Sequence, residues 1–147
     1  MLDFYFSKDN LAVQYGTWAP LTSENSQQRR VPFLVVKRQN HDFREQVFVE
    51  CKRLRADGEK ADGKAWENAR VQLEMDMHIW QTQYQVPHPS YYGLISIGAE
   101  VRFFIMNRRC CDKLEPLHGD PRSFSLNDDA IEVHDNMKEI CEKILED

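Results

Sequence analysis

No apolar run in this chain approaches the ~20 residues of a membrane-spanning helix, so no membrane partner is expected. The opening Met1-Leu2-Asp3 carries an acid where a secretory leader has a basic segment, so no such leader is expected either. Cysteine is sparse. Cys51, Cys110, Cys111 and Cys141 show no metal-type spacing, and the adjacent pair Cys110-Cys111 are poor disulfide partners for each other. Free thiols in a reducing compartment follow as the simplest expectation, which places the protein inside the cell, in nucleus or cytoplasm. His41, His78, His88, His118 and His134 show no ligand spacing, and no Ser-His-Asp or Cys-His arrangement can be picked out. Internal repeats and a clear domain boundary are also missing. The 147 residues therefore read as one domain, 1–147, with residues 1–27 as an N-terminal arm of indistinct pattern.

What is present suits a soluble globular protein: 41% hydrophobic and 29% charged residues. The net charge of −5 is unevenly spread. Residues 28–64 hold ten Lys/Arg against six Asp/Glu, whereas residues 65–147 hold eight against fifteen. A local basic patch can hold a phosphate backbone even on an acidic protein. Arg29, Arg30, Lys37, Arg38, Arg53 and Arg55 are the candidate phosphate contacts. A plain solvated face is the equal alternative.

Periodicity supplies the elements. Leu2 to Phe6 and Leu11 to Trp18 suggest short strands or an irregular arm. Val31 to Lys37 reads as a strand, with Pro32 near its start where a missing N–H does least harm. A polar turn leads to a second strand over Gln46 to Arg53, antiparallel to the first. A helix is predicted from about Lys64 to Gln83. Trp66, Ala69, Leu73, Met77, Trp80 and Tyr84 form one apolar stripe, and Val71, Met75 and Ile79 a second, which together predict a mostly buried helix. Tyr91 to Ile97 and Val101 to Met106 make a hairpin around Gly98-Ala99. Arg108 to Arg122 reads as loop. A last helix is predicted from near Ser125, where Ser125-Leu126-Asn127-Asp128 resembles a capping box, with Val133, Met137, Ile140 and Ile144 as its apolar face. The fold class is α+β, a mixed sheet of about four core strands flanked by two main helices.

The stretch Val47-Phe48-Val49-Glu50-Cys51-Lys52 is the most telling. Strand alternation turns Glu50 and Lys52 to the same side at the end of an otherwise apolar run. Burying either charge alone costs several kcal/mol, roughly, so the two are either a structural ion pair or chemistry. Cys51 falls on the other face and is expected to be a buried, inert thiol. Trp66 and Trp80 are expected in the core.

This order of elements, with Glu50-Cys51-Lys52 closing the second core strand, resembles the PD-(D/E)XK nuclease-like superfamily. The likeness is to a fungal-type branch in which a Val-Glu-Cys-Lys strand precedes a helix of the form Trp-x-x-Ala-x-x-Gln-Leu, here Trp66 to Leu73. The hairpin Tyr92 to Phe103 is similar too, and the resemblance spans about residues 28–145. It implies a restriction-endonuclease-like fold and a metal-dependent nucleic-acid phosphodiesterase. Glu50 would hold Mg²⁺ or Mn²⁺, Lys52 would activate the attacking water, and Gln72 matches a position that faces the site. Hard carboxylate oxygens suit Mg²⁺, and a cation beside a Lys offsets charge on the scissile phosphate. One position departs from the pattern. The metal-binding Asp of the family falls at Phe33, which cannot ligate a metal. Asp42 is no replacement, because on a regular strand it lies roughly 25 Å from Glu50. The alternative is therefore a catalytically degenerate nuclease fold kept as a binding or self-association module. If the family's first helix is absent from residues 1–27, an uncovered apolar face favours a homodimer.

Overall fold

A computed structural model describes residues 11–18, 31–38, 44–54, 61–84, 90–107 and 113–146. Among them are seven strands: β1 (Leu11–Trp18), β2 (Val31–Arg38), β3 (Arg44–Lys52), β4 (Ser90–Ile97), β5 (Glu100–Asn107), β6 (Leu114–Pro116) and β7 (Phe124–Ser125). Two helices accompany them, α1 (Gly63–Tyr84) and α2 (Ala130–Glu146). One mixed sheet runs in the order β1-β2-β3-β4-β5-β6, with β7 also on β5. β3 and β4 are parallel and the other neighbours antiparallel. The predicted α+β class, with β2 to β5 as core strands and two main helices, is what the chain adopts. The expected strand at Leu2 to Phe6 and the polar turn after Arg38 fall largely outside the described residues.

Alternation along the strands sorts the core into two layers. Phe48, Tyr91, Ile95, Ile97, Phe104 and Met106 meet Trp66, Ala69, Leu73 and Met77 of α1. Val47, Tyr92, Leu94, Val101 and Phe103 meet Val133, Met137, Ile140 and Ile144 of α2. The helices thus lie on opposite faces of the sheet, and α1 is the crossover that a parallel β3–β4 pair requires. It approaches β4 closely. A Cβ at Gly93 would stand 2.8 Å from Leu73 Cδ2, so a larger residue there would require the buried Leu73 side chain to shift.

α1 starts where Asp62 caps it: the Ala65 N–H donates to Asp62 Oδ1 at 2.8 Å. Trp66, Ala69, Leu73 and Met77 of the first expected stripe are buried, the side chains of Trp80 and Tyr84 lie outside the described ones, and of the second stripe only Ile79 is half-buried. Val71 and Met75 are 42% and 52% exposed, because nothing described packs on the side of α1 away from the sheet. The β4–β5 hairpin turns at Gly98-Ala99 as the sequence suggests, with Gly98 at φ +61°. Two boundaries differ from the sequence reading. Part of the expected Arg108–Arg122 loop pairs with β5 as β6, through Phe104↔Pro116, Ile105↔Glu115 and Met106↔Leu114. α2 begins at Ala130 rather than near Ser125. Ser125 forms β7, its Oγ accepts the N–H groups of Asn127 and Asp128, and its own N–H donates to Asp129 Oδ2 at 2.8 Å. The Ser125 motif therefore builds the turn ahead of the helix, and the Val133 N–H to Asp129 O bond makes Asp129 the N-cap position.

Candidate functional site

Glu50 and Lys52 occupy the last turns of the ladder on β3. Phe48 packs under α1, so the two-residue period puts Glu50 and Lys52 on that same face. Glu50 is 7% exposed and Lys52 is exposed, so the acid is drawn into the sheet while the base reaches solvent. Lys52 also fixes the hairpin, since its carbonyl accepts the Gly98 N–H at 3.1 Å. Cys51 corrects the sequence expectation of a buried thiol: it is exposed, on the face away from α1, because β3 ends there. Partial desolvation, with the neighbouring Glu50 charge, pushes the Cys51 thiol above its ordinary value.

The backbone register places the other expected participants. Phe33 on β2, the position that carries an Asp in the resembled family, is the partner of Phe48 at the middle of β3, two residues before Glu50. Gln72 is on α1, over the face to which Glu50 belongs, and its amide is engaged within the helix: Nε2 donates to Oδ1 of the buried Asp76 at 3.1 Å. Arg53 is exposed just beyond β3. Lys37 and Arg38 sit at the other end of the β2–β3 hairpin, where Val36 partners Arg44. Six residues of strand, about 20 Å, separate that end from Glu50. One patch containing Arg53, Lys37 and Arg38 is thus not formed. Arg29, Arg30 and Arg55 lie outside the described residues, as do Asp42 and the turn that holds it.

Two further charges share the Glu50 face. Glu50 partners Ile95 on β4, and Ile95 partners Arg102 on β5; Lys52 partners Ile97, and Ile97 partners Glu100. Two rows therefore cross the sheet, Glu50–Ile95–Arg102 and Lys52–Ile97–Glu100, with opposite charges at the two ends of each. Arg102 lies over the Trp66 ring, its guanidinium carbon 4.2 Å from the ring centroid. Sequence inspection singled out Glu50 as a charge in an apolar strand. Arg102 in Val101-Arg102-Phe103-Phe104 carries the same signal and was passed over.

Two carboxylates are buried among the described residues, Glu50 on β3 and Asp76 on α1, and Asp76 Oδ1 already accepts from Gln72. Among the described residues no three His, Cys, Asp or Glu side chains are grouped to hold a metal ion. Phe33, which stands at the position the resemblance assigns to a metal-binding Asp, supplies no oxygen ligand for Mg²⁺ or Mn²⁺.

The fold and this face define an α+β protein with a mixed sheet between two helices, with a buried acid and an exposed base on one face of β3. No helix among the described residues is long and apolar enough to cross a membrane. No protein-family profile, curated protein or solved structure matches the chain.

Proposed function

We propose that this chain is a PD-(D/E)XK nuclease-like domain with a restriction-endonuclease-like fold that holds the phosphate backbone of nucleic acid without metal-dependent cleavage. Support comes from the place of Glu50-x-Lys52 at the end of a strand that is antiparallel to β2 and joined to parallel β4 through α1. Further support is the helix that follows, whose Trp66, Ala69 and Leu73 are buried on the sheet. The observation that supports the loss of cleavage is that the position to which the resemblance assigns the second carboxylate is Phe33, paired with Phe48 two residues before Glu50. The free thiols of Cys51 and Cys141 suit a reducing compartment, nucleus or cytoplasm.

The test has two arms. Fluorescence anisotropy with labelled single- and double-stranded DNA and RNA should show binding that weakens as salt rises. The same substrates incubated with Mg²⁺ or Mn²⁺ should stay intact. A second reading, the metal-dependent phosphodiesterase, is favoured by one observation: Glu50 is kept as a carboxylate at 7% exposure. Metal-dependent cleavage that disappears in both Glu50→Gln and Lys52→Ala would establish it and overturn the first.

A further inference from the structure

The guanidinium of Arg102 is the least satisfied polar group on the α1 face. Its Nε is buried and meets no hydrogen-bond acceptor among the described residues. Arg102 is half-buried and only this N–H is withdrawn from water; a buried donor without an acceptor is costly, and a bound acceptor would complete it. Burial pulls the Arg102 pKa down, with the nearby Glu100 charge opposing that, and the group still stays charged at neutral pH. A cavity of about 200 Å³ opens on it between the start of α1 and β5, lined by Trp66, Glu67, Arg70, Arg102, Phe104 and Pro116 among others.

The neighbours select the ligand. Arg70 also lines the cavity, but each of its three nitrogens already donates to a carboxylate: Glu67 accepts at 2.7 Å and 3.1 Å, and Glu74 at 2.9 Å. Arg102 is left as the donor that seeks an acceptor. Glu100 acts on Arg102 with its negative charge and Glu67 lines the cavity, which disfavours a dianion and leaves room for a singly charged oxyanion. The row Glu50–Ile95–Arg102 sets Arg102 two interstrand spacings, about 10 Å, from Glu50 on the same face.

We propose that Arg102 and the cavity beside Trp66 form a subsite for one phosphodiester group of a nucleic-acid backbone. Arg102 donates to a non-bridging oxygen, and Trp66 holds the guanidinium plane in place from behind. The subsite rests on the function proposed above only for the source of the phosphodiester.

The test separates the two. The ¹⁵N-labelled protein is titrated with dimethyl phosphate, a singly charged phosphodiester, and separately with acetate. The Arg102 Nε–Hε resonance is assigned as the one missing from Arg102→Met, a variant that keeps an apolar stem over Trp66 and whose fold is checked by circular dichroism. A saturable shift with dimethyl phosphate, larger than with acetate, is expected. In parallel, Arg102→Met should bind fluorescein-labelled oligo-dT about tenfold more weakly and lose about one from the salt slope. No saturable shift, or a stronger response to acetate, overturns the subsite. Oligo-dT binding that Arg102→Met leaves unchanged also overturns it, while the function proposed above stands. A dimethyl phosphate shift in a protein that binds no nucleic acid keeps the phosphodiester subsite and overturns that function instead.

Discussion

Cys51 shows how neighbours decide the behaviour of a single residue. Its side chain is accessible, yet desolvation and the Glu50 charge both disfavour the thiolate, which is the reactive form. Alkylation with iodoacetamide, followed by peptide mapping, should therefore be slow at pH 7 and still be climbing above pH ~9, the side on which a raised thiol pKa puts its titration. Fast labelling of Cys51 at neutral pH would contradict that environment. Cys141, on α2 and buried in the core between that helix and the sheet, should stay unlabelled in the folded protein at either pH. Gly93 makes the opposite point, because there the constraint is space. Its missing Cβ leaves Leu73 Cδ2 the room it uses, so Gly93→Ala should lower stability by about 1–3 kcal/mol in urea unfolding, through overpacking.

At the scale of elements, α1 is a helix with one working face. Leu73 is fully buried, so Leu73→Ala should cost about 2–5 kcal/mol. Val71→Gln and Met75→Gln, on the opposite side, should shift stability by no more than about 0.5 kcal/mol. Equal losses in both sets of variants would mean that the outer side of α1 is covered in solution. The two-stripe pattern could not reveal this, since a hydropathy pattern records which residues are apolar and not whether a neighbour arrives to cover them. The β4–β5 hairpin and α2 were legible because alternation and the 3.6 period run through them unbroken and Gly98 supplies the turn. β6 was not, because Leu114-Glu115-Pro116 has no pattern of its own and becomes a strand only through its pairing with β5. The start of α2 was misplaced for a related reason: Ser125 offers its hydroxyl to backbone N–H groups in a turn as readily as at a helix cap.

Across the whole molecule, the sheet brings distant residues into register, and there the sequence alone reaches least far. Glu50 and Lys52 stood out because charges in an apolar strand are costly. Their alignment with Arg102 and Glu100 arises only when β4 is laid between β3 and β5. The importance of Phe33 was visible through a family resemblance, and the register now gives it a place: opposite Phe48, two residues before Glu50 on β3. The two-acid metal site that the resemblance implies can be tested from that place. Phe33→Asp would add a carboxylate on the strand next to β3, and two hard anionic ligands hold Mn²⁺ far better than one. Strand propensity opposes the change by about 1 kcal/mol, which the fold should survive. Isothermal titration with Mn²⁺ should then show binding in Phe33→Asp at least roughly tenfold tighter than in the unaltered chain. The gain should vanish in Phe33→Asp combined with Glu50→Gln. If Phe33→Asp remains folded and gains no Glu50-dependent affinity, the two positions do not share a site, and the resemblance to a metal-dependent nuclease loses its physical basis.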